Sequence, residues 1–355
     1  MLISTFARTR SRIRLALVGL SVTLAATACS PAAANPLSGP SSNATAPDGP
    51  LVRQLTGEVS EARAFKHLQA LQKIADEHGG NRAAGTPGYD ASVEYVVGML
   101  RDIGFKPSTP TFRSSGEDGE GSNVRQRNIL AETRTGDPGH VLMIGAHLDS
   151  VTDGPGIVDN GSGVATLLEI ATQLGADPLV QNRVRFAFFG AEENGAEGST
   201  AYVKGLSAAD RDKIKLYLNV DMVASSNGGY FVQGGQGNDE EEAGPPGSAT
   251  IARVLADQLT KAGVKDPEFI EFVGDDEAPF IAAGIPVGGA ENGDEGEKTR
   301  KQAKAWGGQA GKPYDPCWDE ACDTLDNVNR EVLSHYMRAL AGTLAHFATS
   351  AENPR

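Results

Sequence analysis

Apolar residues fall along this chain in two kinds of run. In the first they have helical spacing: Ala64, Leu68, Leu71 and Ile74 recur every three or four residues within 59–78, and Gly79-Gly80 ends the run. Val93, Val96, Val97 and Leu100 repeat the pattern over 89–103, with Gly104 as the stop. The second kind is short and continuous. Residues 141–146, 184–189 and 214–220 are apolar and bounded by polar or glycine-containing segments, which predicts buried strands. Helical periodicity returns between them at 164–174 and 199–206. A glycine- and glutamate-rich stretch at 114–122 reads as a surface loop before a strand at 128–133. Helices at 252–262 and 331–347 and strands near 269–273 and 285–289 complete the series. With no internal repeat, strand and helix alternate as in a single α/β domain over about 51–350. Its sheet is expected to be mixed and mostly parallel, with helices on both faces.

The first fifty residues follow another logic. Arg8, Arg10, Arg12 and Arg14 precede an uncharged apolar stretch over 15–28, too short for a permanent membrane span and of the length of a signal peptide. The stretch ends in Ala26-Thr27-Ala28-Cys29, which resembles the lipobox of bacterial lipoproteins. There the cysteine is acylated and becomes the new N-terminus; the large aliphatic residue usual three places earlier is Ala26 here. Residues 1–28 are expected to direct export and Cys29 to carry a lipid that anchors the chain on the outer side of the cell membrane; ordinary secretion is the alternative. Residues 29–50, mostly Ser, Ala, Pro, Asn and Gly, cannot bury enough apolar surface to offset their ordering entropy and read as a tether. Residues 351–355 read as a short tail.

Charge sharpens the picture. The 355 residues carry 32 Lys and Arg against 46 Asp and Glu, a net of -14. Loss of the four leading arginines leaves 28 basic residues and a net of -18. So acidic a chain repels phosphate backbones, which argues against a nucleic-acid partner.

In an open α/β sheet ligands bind at the carboxyl ends of the strands, so the residues after each apolar run matter most. His147-Leu148-Asp149 follows the first, and alternation puts His147 and Asp149 on one side of the chain. If His147 ligates a metal, Asp149 is placed to orient its ring. Asp159-Asn160-Gly161-Ser162-Gly163 then opens a helix, Gly190-Ala191-Glu192-Glu193 follows the next strand, and Asn219-Val220-Asp221 the one after. Each cluster alone is compatible with a cap, a turn or a solvated pair. Gathered at one sheet edge, such carboxylates repel unless a cation holds them, and His with Asp and Glu suits Zn²⁺.

These motifs, with Ala278-Pro279-Phe280 and Ala305-Trp306-Gly307-Gly308, resemble the di-zinc aminopeptidases of the M28 family over roughly residues 60–348. The resemblance implies two zinc ions, with His147 and Asp221 on one, Glu193 on the other and Asp159 bridging both. It implies Glu192 as the general base and peptides with a free N-terminus as substrates. An acidic rim attracts an α-ammonium group, which favours cutting at the N-terminus.

The last motif departs from the family pattern. Where the family has Cys-Tyr-His, two residues, then Cys-Asp, this chain reads Cys317-Trp318-Asp319-Glu320-Ala321-Cys322-Asp323. Asp319 stands at the position of the last zinc-binding His. Trp318 replaces the Tyr that contacts the oxyanion, and its indole N–H can still donate. Asp275-Asp276-Glu277 likewise stands where relatives often have Ser-Asp-His. A catalytically impaired surface binding lipoprotein is therefore the second reading. N-terminal glutamine cyclisation is disfavoured by the missing late His, and a serine hydrolase by the lack of a Gly-x-Ser-x-Gly elbow after a strand. Cys317 and Cys322, with four residues between them in an exported chain, are expected to form a disulfide around Trp318 and Asp319.

Overall fold

The strands form at β1 (Thr111–Ser114), β2 (Val124–Arg127), β3 (Ile129–Glu132), β4 (Asp137–His147), β5 (Asn182–Phe189), β6 (Ile214–Val220), β7 (Phe231–Gln233), β8 (Glu268–Ile270) and β9 (Val287–Glu291). The structure, a computed structural model, describes residues 48–115, 124–235, 243–351 and 354. The export segment with Cys29, nearly all of the tether, most of the 114–122 loop and most of the tail lie outside the described residues.

Seven strands make one sheet in the order β3-β5-β4-β6-β9-β7-β8, and β1 and β2 form a separate antiparallel ribbon. Neighbours β4/β5, β4/β6, β6/β9 and β7/β8 run parallel; β3/β5 and β7/β9 run antiparallel. The sheet is thus mixed and mostly parallel, as the alternating pattern predicts.

Both faces are covered because the central strands are apolar on both. Leu142, Ile144 and Ala146 of β4 join the main core with Leu68 and Leu71 of α2 (Glu61–Glu77), Val93 and Val96 of α3 (Pro87–Asp102), and Leu167 and Leu168 of α4 (Gly161–Leu174). Met143 points the other way, into a second core with Phe189, Tyr217, Val203 of α5 (Glu197–Gly205) and Phe280 of the short helix Ala278–Ala282. Tyr217 and Phe280 stack there with ring centroids 4.0 Å apart. Among the described residues no helix is long and apolar enough to cross a membrane.

The pattern does not anticipate α1 (Pro50–Glu58), the β1–β2 ribbon, the three-residue β7, or the short helices Ala208–Lys213, Ala278–Ala282 and Arg300–Trp306 and the turn Leu325–Asn327. Helix α1 begins inside the segment read as tether. Proline opens it, Val52 and Leu55 are buried, and Asp48 just before it pairs with Lys261 at 2.7 Å. The described part of the domain therefore reaches back to residue 48, with Val52 and Leu55 in the core and Asp48 tied to Lys261.

Candidate metal centre

The carboxyl ends of β4, β5, β6 and β9 lie side by side. His147 is opposite Phe189 in the β4/β5 register, Gly145 opposite Asn219, and Val220 opposite Ala290. One sheet edge thus carries His147, Glu192 and Glu193, Asp221 and Glu291, contributed by four different strands or the turns that follow them.

His147 is 1% exposed. Its Nδ1 lies 3.1 Å from the Asp149 carbonyl, an acceptor, so Nδ1 carries a hydrogen and Nε2 faces the carboxylates. Nε2 is 3.0 Å from Asp159 Oδ1 and 3.3 Å from Asp221 Oδ1. Burial disfavours a charged imidazole, yet Asp221 and Asp159 outweigh it and hold the His147 pKa well above its ordinary value. A cation between these groups would take the place of that proton.

Donor atoms of His147, Glu192 and Asp221 lie within 4.8 Å of one another, and so do those of His147, Asp159 and Glu193. Glu193 Oε1 is sealed from solvent and makes no hydrogen bond. Burial pushes the Glu192 and Glu193 carboxyls well above the usual range; His147 opposes this, and neighbouring acids, Asp275 for Glu192 and Asp159 and Asp319 for Glu193, add to it. Burial likewise pushes Asp221 up to about 8. An orphaned carboxylate oxygen among clustered acids and one imidazole fits a divalent cation, and the His147 side of the centre fits zinc.

Asp149 does more than its sequence position implied. Its carboxylate is 3.8 Å from the His147 ring nitrogen and accepts from the backbone N–H groups of Glu192 (3.1 Å) and Glu193 (3.3 Å). The ring is held by the Asp149 main chain, while the Asp149 side chain holds the turn that carries both glutamates. That turn is sharp: Ala191 sits at φ 57.

Asp159 is fixed by two long-range contacts. The N–H groups of Val158 and Asp159 donate to the Asp323 carboxylate at 3.0 Å. Next to it Asn160, reached through a cis peptide bond, accepts from Gly163 N–H at 2.9 Å and donates to Val220 C=O at 2.7 Å. The N-terminus of α4 is thereby clipped to the end of β6, bringing Asp159 to Asp221.

Arg82, missed by the sequence reading, is completely buried behind these loops. Its guanidinium donates to the carbonyls of Leu148, Pro155 (2.9 Å) and Gly156 (2.6 Å). Burial lowers its pKa to about 10, against the pull of Asp149, Asp323, Asp159 and Glu193, so it remains a cation at neutral pH beneath a ring of acids. No local pattern marks an arginine whose partners are carbonyls 66 to 74 residues away.

The Cys317–Cys322 disulfide forms, with Cα atoms 5.3 Å apart. Trp318, within the loop it closes, is half-buried and packs against the main core. Asp319 lines a small pocket with Val151, Gly156, Asp159 and Asp323, but its carboxylate joins neither close donor group. Asp276 and Glu277 are buried near the centre, and burial pushes them up to about 7 and about 8. The remaining histidines are engaged elsewhere: His67 with Tyr95, His78 with the Ile74 carbonyl, His140 with Asp137, His335 with Tyr230, and His346 against Phe347.

The sequence profile of peptidase family M28 matches residues 128–344, the stretch that carries His147 through the disulfide loop. This chain belongs to peptidase family M28. Among M28 relatives, leupeptin-inactivating enzyme 1 of Streptomyces exfoliatus is 42% identical over 309 residues, 86% of this chain and 64% of that protein. The probable lipoprotein aminopeptidase LpqL of Mycobacterium tuberculosis is 41% identical over 294 residues, 79% of this chain and 58% of the relative. The chain therefore spans less than two thirds of the length of these relatives. In fold it resembles a zinc aminopeptidase from Bacillus subtilis, with a TM-score of 0.66 over 83% of this chain and 96% of that one, at 17% identity.

Proposed function

We propose that this M28 chain is an exported, metal-dependent aminopeptidase that removes residues from the free N-terminus of peptides. The observation that carries the reading is a pair of close donor groups that share His147, one with Glu192 and Asp221 and the other with Asp159 and Glu193, whose Oε1 is orphaned. His147, Asp221 and Asp159 would hold one zinc ion; Asp159, Glu193 and Asp319 would hold a second cation. Bound there, such cations would polarise the scissile carbonyl and lower the pKa of a water. Glu192, enclosed and raised in pKa, would act as the base that takes a proton from water and passes it to the leaving amine. The Trp318 indole N–H is the donor assigned to the developing oxyanion. Asp275, which adds negative potential around Asp221, attracts the substrate's α-ammonium group.

Similarity to relatives named as aminopeptidases supports this activity. The lipobox-like Cys29 and the relative named as a probable lipoprotein support export and a lipid anchor. Cys29→Ser is expected to move the protein from the membrane fraction to the medium, read by detergent-phase partitioning.

The test uses purified protein and two peptides that differ only in an N-terminal acetyl group. The free peptide should release amino acids, chelator should stop the release and Zn²⁺ restore it, while the blocked peptide stays intact. Indifference to chelator would overturn the reading. One observation favours a second reading, a binding protein that keeps the fold without hydrolysis: Asp319 stands outside both close donor groups. Metal bound at His147 with no turnover of any free peptide would select that alternative.

A further inference from the structure

We infer that the two cation positions of this centre are chemically unlike: one takes zinc through His147, and the other is an all-carboxylate position for a hard divalent cation such as Mn²⁺. The inference rests on the metallopeptidase reading and refines its metal requirement.

Among the described residues the centre holds one nitrogen donor and no sulfur donor. His147 is the imidazole of the centre, and its Nδ1 is engaged with the Asp149 carbonyl at 3.1 Å. Only Nε2 remains, and one lone pair binds one ion. The other histidines are bonded or packed elsewhere in the fold, and Cys317 and Cys322 are joined to each other, so neither supplies a thiolate. Among the described residues, a cation away from Nε2 therefore has only oxygen within reach, from Asp159 and Glu193, with Asp319 next to both.

That second position is marked independently by Glu193 Oε1. It is shut off from solvent and has no hydrogen-bond partner, and a carboxylate oxygen of Glu193 lies within 4.8 Å of donor atoms of Asp159 and His147. A carboxylate oxygen left this way is costly unless a cation meets it.

Zinc favours nitrogen and sulfur, whereas carboxylate-only sets suit Mg²⁺, Ca²⁺ and Mn²⁺. At any one donor set zinc still binds more tightly than manganese in the general affinity order, so the consequence concerns the margin. Carboxylate in place of imidazole narrows the lead of zinc until the more abundant ion fills the position. Asp319 sets this margin. It sits at φ 58, a left-handed conformation that Asp and His both tolerate, so Asp319→His restores a nitrogen donor without straining the loop.

Metal-free full chain is equilibrated with about two equivalents of Zn²⁺ and roughly tenfold more Mn²⁺, then desalted. Zinc is counted by plasma mass spectrometry, and bound manganese is read by electron paramagnetic resonance. The expected result is about one zinc and one manganese per wild-type chain, and two zinc with at least a tenfold weaker manganese signal in Asp319→His. Two zinc and no bound manganese in the wild type overturn the inference while leaving the metallopeptidase reading intact. Equal manganese in wild type and Asp319→His overturns the part assigned to Asp319. No retained metal of either kind overturns both readings. The wild-type count stands even if the variant does not fold.

Discussion

Glu192 and Arg82 show how much a single side chain decides in this centre. Glu192 is 8% exposed and sits among His147, Asp221 and Glu193, so its carboxylate faces these groups and not bulk solvent. Glu192→Gln keeps shape and hydrogen-bonding capacity but cannot take a proton. Turnover should fall by about 10²–10⁴-fold with bound metal unchanged, as steady-state kinetics beside metal analysis would read. Arg82 acts from behind. Removing it leaves the carbonyls of Leu148, Pro155 and Gly156 buried without their donor. At about 1–3 kcal/mol for each unpaired group, Arg82→Ala should cost about 3 kcal/mol or more in urea unfolding. Arg82→Lys should recover little, since an ammonium cannot reach three carbonyls that a planar fork spans.

At the scale of elements, the centre depends on how closely α4 approaches β6. A Cβ at Gly163 would lie 2.3 Å from Asn160 Oδ1 and 2.7 Å from the Val220 carbonyl, so the helix start can press against the strand end only with glycine there. Gly163→Ala must push α4 outward and part Asp159 from Asp221. Apparent zinc affinity is expected to drop at least tenfold, on the order of losing a group that holds a metal ligand in place, as measured by competition with a chromogenic chelator. Gly98, inside α3 (Pro87–Asp102), has nothing within 4 Å of the same atom. Gly98→Ala should raise stability by about 0.5–1 kcal/mol and leave metal binding alone, which separates the close approach at Gly163 from a general effect of alanine.

For the whole molecule the consequence is an unusual dependence on pH. Asp276, Glu277 and Asp323 are buried acids whose pKa values burial raises to about 7, about 8 and about 7. Unfolded, such groups titrate near about 4. Between these limits the native state holds protons that the unfolded chain releases, so their contribution is fully present below about 4 and is lost as pH rises through about 7 to 8. The net charge of -14 repels itself more strongly over the same interval. The metal-free protein should therefore melt at progressively lower temperature from pH 5 to 8 in scanning calorimetry. Asp276→Asn combined with Glu277→Gln should flatten that slope; an unchanged slope would place its origin elsewhere.

The order of strands and helices, the sheet edge that matters and most of the acids on it are legible along the chain. Burial alternates locally with each element, and a parallel sheet sends the ends of its strands to one side. His147, Asp159, Glu193 and Asp221 could be picked out because each follows or precedes an apolar run. The β1–β2 ribbon and β7 were not legible, being four, four and three residues long, too short for a period to emerge. Tertiary structure alone decided that Arg82 lies under the centre, that Asp323 grips the backbone of Asp159 from 164 residues away, and that Asp149 holds the glutamate turn with its side chain and the imidazole with its main chain. These are contacts between distant segments through backbone groups that every residue carries, so no pattern of side chains along the chain encodes them.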